Sequence, residues 1–348
     1  MSVNALLSQS EKIARRKVVR MSIKQRFEKF TTSIRPSDDH ISEANRQTKF
    51  MIDNLTNKVS SDDAYTLEKV LKAGSNAKFT SLLKTVDNSF DVDLGAYYSG
   101  EGATKEELDT LLQFTHDKLV EIYPQKDKKD FTILKSAVNV SFKSGIKLSV
   151  DVAPIVKDDS LGITNGGWIP RPDAWRLTSV TAHNDFVKNR TVKSRKVSGP
   201  VKFNRLVRMV KWWNNRLGDL TQPAILCELV TAAAVVDGVT PEWQTSLRQI
   251  FQFMRKHAFD EPIAFDDNYD TSSLSYPNDT VVILDSVNSN NNVASTWTTS
   301  TRDNFLDRVE EAYDASTAAW SAEQDGDEDA AVDHWCEIFG DQFKKLSE

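Results

Sequence analysis

Residues 131–156, FTILKSAVNVSFKSGIKLSVDVAPIV, alternate apolar and polar positions in two runs broken at Ser144-Gly145. A period of two gives each run one apolar face, and a glycine-containing break turns the chain back on itself. The segment therefore predicts a β-hairpin, with Lys147, Ser149 and Asp151 on one side and Asp151 late in its second arm. Upstream, FDVDLGAYY at 90–98 alternates in the same way and predicts a half-buried strand. Residues 104–122 read as an amphipathic helix capped by Thr104 with Glu107 three positions on. Ser37 and Asp38 mark the start of a helix over about 39–58, with Ile41, Ala44, Phe50, Ile52 and Leu55 partly buried. Helix, turn, strand, helix, strand, strand makes a mixed α/β lobe.

The second half reads differently. Residues 156–200 look like loop, most irregular at NGGWIPRPDAW. From Val201 the pattern is helical: Phe203, Leu206, Val210 and Trp213 share a buried face, while Lys202, Arg205 and Arg208 recur every three residues on what reads as a wet one. Further helices follow at about 224–236 and 242–257. LDSVNSNNNVAS is a polar connector, and a last helix spans about 299–320. The expected fold is α/β plus α: a mixed-sheet lobe over 1–160 with N-terminal helices, and a linker with a helical lobe over 161–348.

At 348 residues the chain is long enough for two lobes with sizeable cores. A net charge of -6 argues against a general nucleic-acid coat, which needs a basic field. The charge is uneven, however. Residues 11–26 carry seven Lys or Arg against one Glu, and 321–333 carry six acids and no base. Each reads as a solvated helix face or tail, and the basic one alternatively as a docking segment. Cys227 and Cys336 are too isolated for a zinc module or a disulfide scaffold, and five scattered histidines read as structural. Without an apolar run of membrane length, the chain is expected to be cytosolic, off the membrane and monomeric.

The chemistry sits between residues 74 and 151. Gly74-Ser75 is a turn where backbone can approach a phosphate, and Asp91 and Asp93, two apart on a strand, point to one face. With Asp151 on a nearby strand, three carboxylates would repel one another unless divalent cations offset them. Two such ions can clamp an in-line phosphoryl displacement. Singly, each of these features is as well explained by a loop or a solvated strand edge.

In that order the features resemble the DNA polymerase beta-like nucleotidyltransferase superfamily. VRMVKWWNN, ILCELV, DSVNSNNNVAS and WCEIFGDQF are similar to later segments of the bacterial cyclic-oligonucleotide synthases (CD-NTases) of anti-phage CBASS operons. The resemblance spans about residues 25–345. It implies that Gly74 and Ser75 hold a triphosphate, that Asp91, Asp93 and Asp151 are catalytic and bind two magnesium ions or manganese, and that Lys211 and Glu228 contact nucleotide. It implies a cyclic di- or trinucleotide made from ATP, GTP or both. Two departures stand out. The interval from Ser75 to Asp91 is long enough for an extra loop. At Ala224 relatives carry Ser or Gln on the phosphates, so Gln222 or Thr221 takes over or the contact is missing.

Trp168 and Arg171 are candidates to stack on a base or touch phosphate. Residues 12–26 are a candidate docking segment for RNA or an accessory protein. The rival readings are a linear oligonucleotide-forming nucleotidyltransferase, or an inactive nucleotide- or RNA-binding pseudoenzyme.

Overall fold

Two helices lead into the sheet. The computed structural model describes residues 21–59, 64–83, 90–171, 174–196 and 199–347. Helix α1 (Ile23–Ser33) starts at a capping box in which Ser22 and Gln25 satisfy each other's backbone N–H groups. Helix α2 (Asp38–Val59) buries Ala44, Thr48, Met51 and Leu55, whereas Phe50, expected to be partly buried, is 46% exposed. Its stripe runs through Met51 instead, one residue around the helix. Strands β1 (Thr66–Ala73) and β2 (Phe90–Ser99) follow, then helix α3 (Leu108–Ile122). Helix α3 begins four residues later than expected. Glu107 N–H bonds to the Thr104 carbonyl, so this stretch is a turn and no side-chain cap forms.

The predicted hairpin is present as β4 (Val138–Phe142) and β5 (Leu148–Lys157), antiparallel, with Gly145 at φ +70° in the turn. An additional strand, β3 (Phe131–Ile133), precedes it. Asp151 is the fourth of ten residues in β5, not late in it. Residues expected to be loop form β6 (Gly167–Arg171), β7 (Ala174–Thr178) and helix α4 (Val180–Ser194). The sheet order is β1-β2-β5-β4-β3, with β6 and β7 continuing from the end of β5. Every pairing is antiparallel except β2 with β5.

One face of this sheet is apolar and covered. Val92, Leu94, Val150 and Val152 pack with Met51 and Leu55 of α2 and with Leu111 and Leu119 of α3. The other face is covered only at one end, where Tyr97 and Ile155 meet Val180 at the start of α4. There the Tyr97 hydroxyl accepts the Val180 N–H at 3.0 Å. A Cβ on Gly95 would lie 2.6 Å from Val180, so a glycine is what lets α4 come this close. The opposite end of that face, carrying the aspartates, stays open.

The helical half comprises α5 (Phe203–Asn214), α6 (Ala224–Ala234), α7 (Trp243–His257) and α8 (Thr299–Gln324). Two more helices, α9 (Glu328–Phe339) and α10 (Asp341–Lys344), lie beyond the one expected to be last. Helix α1 belongs to their core. Phe27 packs on Trp335 and Phe343 with centroids 5.0 and 4.9 Å away, and Phe30 on Phe339 at 4.9 Å. No described helix is long and apolar enough to cross a membrane. Truncating the fully buried Phe27 to Ala is expected to cost about 3–5 kcal/mol, while Phe50→Ala costs about 1 kcal/mol or less. Urea unfolding of the two variants checks this, and equal losses would contradict it.

Candidate functional site

The turn after β1 is built around a close approach. Gly74 has φ +61°, and a Cβ there would sit 1.8 Å from Asp93 Oδ2. Only glycine fits both the left-handed backbone and the contact. Residues 74–77 make one helical turn, which returns the chain so that Thr80 N–H bonds to the Ser75 carbonyl at 2.9 Å. The Ser81 hydroxyl bonds to that of Ser75 at 3.2 Å. The long interval before Asp91 is thus partly spent folding back on the turn; residues 84–89 lie outside the described residues.

Beside the turn, the parallel register sets Asp93 against Asp151 and Asp91 against Ser149. Asp151 accepts from Asn139 Nδ2 at 2.6 Å, which fixes its orientation from the neighbouring strand. Burial pushes the Asp93 carboxyl up, and the charges of Asp151 and Asp91 push it further, to about 6. Three hard oxygen-bearing groups on one sheet face suit a divalent cation that also takes phosphate oxygens. Among the described residues no three such side chains are already closed around a single point. The donor chemistry therefore fits a metal, and the arrangement is an open row rather than a finished cage.

Across from this row stands a buried charge cluster. Glu228 of α6 accepts from Lys211 of α5 at 2.7 Å and from Lys78, four residues after Gly74, also at 2.7 Å. Thr80 donates to Glu228 Oε1 at 3.2 Å and accepts from Lys211 Nζ at 3.0 Å. Burial alone would raise the Glu228 carboxyl; the two ammonium groups outweigh it and hold it at about 2. One carboxylate between two lysines leaves a net positive charge facing two acids. Both lysines, Glu228, Gly74, Ser75, Asp93 and Asp151 line a single cleft of about 500 Å³.

Several expected contributors fall elsewhere. Gln222 joins the Trp297 indole N–H at 2.7 Å and the Leu220 carbonyl, and Thr221 bonds to the Asn214 carbonyl. Neither lines the cleft, whereas Lys78 does. Trp168 faces away, donating to Asp158 at 2.8 Å beneath the Lys105 ammonium. Arg171 does line the cleft, held by the Ser136 hydroxyl. Arg208, expected on a wet face, is only 8% exposed. The reason is that its guanidinium spans the carbonyls of Thr31, Phe79 and Ser81.

The supposed polar connector is a wall of the cleft. Asp285, 5% exposed, accepts from the Val287 N–H at 2.9 Å and from Asn291 Nδ2 at 3.1 Å. His183 of α4, read as structural, stands with Nε2 2.8 Å from Asp285 Oδ1. Burial would raise Asp285, and His183 with these donors reverses that, to about 2. Arg176 of β7 donates to Asn291 and closes the wall. Of the basic N-terminal segment, residues 11–20 lie outside the described residues, and Arg26 is buried on the Phe343 and Lys344 carbonyls, so it is no docking cation.

The Asp93 titration has a measurable consequence. The unfolded carboxyl titrates near 3.8 and the folded one near 6. The folded state thus binds the proton more tightly, and the contribution of Asp93 to stability falls as pH rises between these values. The span corresponds to about 3 kcal/mol at most. In EDTA, Asp93→Asn is expected to raise Tm at pH 8 and leave it unchanged at pH 3.5; a lower Tm at pH 8 would contradict the assignment.

The chain is similar to known proteins over most of its length. Residues 21–190 match the family model for the Second Messenger Oligonucleotide or Dinucleotide Synthetase domain. The chain is 32% identical over 303 residues to the CBASS oligonucleotide cyclase CdnC of Escherichia coli (strain KTE188), covering 86% of this chain and 90% of that one. It is 30% identical over 305 residues to a cyclic AMP-AMP-AMP synthase of E. coli (strain MS 115-1), with the same coverage. Two solved structures of E. coli MS115-1 CdnC are similar, each at 26% identity. The one in complex with HORMA-deltaN has a TM-score of 0.77, covering 93% of this chain and 98% of that. The one with ATP has a TM-score of 0.76, covering 92% and 98%.

Proposed function

This chain belongs to the CD-NTase family of CBASS oligonucleotide cyclases, and we propose how its cleft carries their reaction. It is a nucleotidyltransferase that forms a cyclic oligonucleotide from nucleoside triphosphates. The reading rests on one observation: a glycine turn, the paired Asp93 and Asp151, and a lysine pair line a single cleft.

In this reading the backbone of Gly74 and Ser75 lies along the triphosphate, and Lys78 and Lys211 face its charge. Glu228 keeps both ammonium groups aimed into the cleft, since neither lysine can leave without exposing a buried carboxylate. Asp93 and Asp151 stand where the α-phosphate meets an incoming ribose hydroxyl, and that hydroxyl's proton passes to this row. The three aspartates are the groups that would hold divalent metal, magnesium or manganese, which when bound neutralises the carboxylates and the charge developing on the phosphoryl oxygens. Arg171 and the Arg176–Asn291–Asp285–His183 wall enclose the nucleotide from the other side. Attack on the α-phosphate forms a P–O bond and releases pyrophosphate, and a final attack within the linear intermediate closes the ring. Catalysis comes from positioning and charge rather than from a covalent intermediate.

The substrates include ATP, supported by the similarity to a cyclic AMP-AMP-AMP synthase, and the product is a di- or trinucleotide second messenger. An accessory protein as activator is supported by the relative seen with HORMA-deltaN.

Incubation with the four NTPs and magnesium is expected to yield a phosphatase-resistant product whose mass is that of a ring, lacking the terminal triphosphate. EDTA and the Asp91→Ala/Asp93→Ala variant are each expected to abolish it. A product that phosphatase shortens would establish a linear synthase instead. Lys78→Ala is expected to raise the KM for NTP at least about tenfold, by loss of a charge-assisted contact, with a smaller change in kcat. An unchanged KM would remove Lys78 from the triphosphate.

A further inference from the structure

Behind the glycine turn, on the far side of Lys78, lies a second cavity of about 590 Å³. Helices α1, α4 and α5 and residues 77–79 wall it. Its cations are Arg35, Lys188, Arg195, Arg205 and Arg208, with Lys78 at the boundary, and no carboxylate lines it. Arg35 and Lys188 each have an acid outside the cavity, Asp38 at 3.0 Å and Asp185 at 3.9 Å, both well exposed. Arg208 is the unusual member. It is 8% exposed, and its hydrogen bonds go to the Thr31, Phe79 and Ser81 carbonyls, with no carboxylate among them. Burial holds its guanidinium down to about 10, and the charges of Arg205 and Arg35 add to that. A buried cation among like charges is costly unless an anion joins it.

Two further features point the same way. Thr31, 2% exposed, lines the cavity and its hydroxyl has no hydrogen-bond partner. Phe79 and Val192, 71% and 45% exposed, offer apolar surface to the same space. Phe79 keeps that place at φ +58°, a backbone conformation that costs energy in a non-glycine residue.

We propose that this cavity is a second, metal-independent site for a small organic molecule bearing two or more phosphate groups and a flat ring. The guanidinium groups of Arg35, Arg205 and Arg208 take the phosphates, Thr31 donates its hydroxyl, and Phe79 receives the ring. The recess favours a compact ligand over a duplex, which would need a cationic stripe along an open face. Arg208 reaches from this cavity to the carbonyls on both sides of Thr80. An occupant therefore acts on the segment that carries Lys78 and Thr80 to Glu228.

Calorimetry with inorganic tripolyphosphate, in EDTA and 150 mM salt, tests the site on the whole chain. One molecule per chain is expected to bind. Affinity should fall at least about tenfold in Arg35→Ala/Arg205→Ala and measurably in Arg205→Gln, whose exposed side chain makes unfolding no concern. It should be unchanged in Asp93→Asn. ADP should bind more tightly than pyrophosphate, and lose that advantage in Phe79→Ala. An affinity that rises in Asp93→Asn and ignores the arginine variants would place the anion in the catalytic cleft and overturn the proposal. So would no binding, or binding of an oligonucleotide duplex with none of tripolyphosphate, the signature of a nucleic-acid face.

Discussion

Glu228 is the joint on which the two halves of this protein turn. It is buried, it comes from helix α6, and its two oxygens receive one lysine from α5 and one from the glycine turn of the sheet half. Taking three charged groups out of water is expensive, and what offsets it is their mutual attraction together with the Thr80 hydrogen bond. Removing one partner from such a set costs about 3–5 kcal/mol, because the rest remain buried and unpaired. The cluster is therefore a weak source of net stability but a strong constraint on position. Neither the turn nor α5 can shift without breaking it, and both halves of the cationic wall are placed by one carboxylate.

Opposite it stands a deliberate imbalance of the other sign. The β2–β5 register puts Asp93 beside Asp151, and the glycine turn presses against Asp93 so closely that no side chain fits between. Like charges in partial burial raise a proton affinity, and the cost is borne by the folded protein until something positive arrives. Lys78 and Lys211 are near enough to lower the Asp93 carboxyl, yet their main partner is Glu228, so their relief is incomplete. A cleft with surplus positive charge on one wall and surplus negative charge on the other is poised for a ligand that brings anion to the first and cation to the second. A metal-bound triphosphate is such a ligand.

Much of this was legible in the sequence, and what was missed shares a cause. Strand alternation located Asp91, Asp93 and Asp151 because β-periodicity is local: it needs only neighbours two residues away. The glycine turn was legible for the same reason. Lys78 was not, because its role depends on the chain doubling back after Gly74 and meeting a helix 150 residues later. Arg208 reads as a surface residue, since a stripe of basic residues every three positions is what a wet helix face looks like. Nothing short of knowing where the Phe79 and Ser81 carbonyls point would reassign it. Phe50 fails differently: in α2 the buried stripe is set by the sheet beneath, and Met51 occupies the position that hydrophobicity alone assigned to its neighbour.

The segment read as a polar connector, 285–294, turns out to be a wall of the cleft, and its polarity is how it comes to be buried. A backbone without repeating structure cannot satisfy its own N–H and C=O groups, and burying it unsatisfied is costly. Here side chains supply the partners. Asn292 accepts from the Ile283 and Ala294 N–H groups and donates to the Val281 carbonyl, Asn288 donates to the Leu177 carbonyl, and Asp285 accepts the Val287 N–H. Asparagine suits this because one short amide carries both a donor and an acceptor. A run of Asn, Ser and Asp between two helices thus has two physical explanations, exposure to water or internal replacement of water. They differ in whether each side chain has a backbone group within reach. In this protein the second holds, and it gives the cleft a wall made of the very residues that composition assigns to a loop.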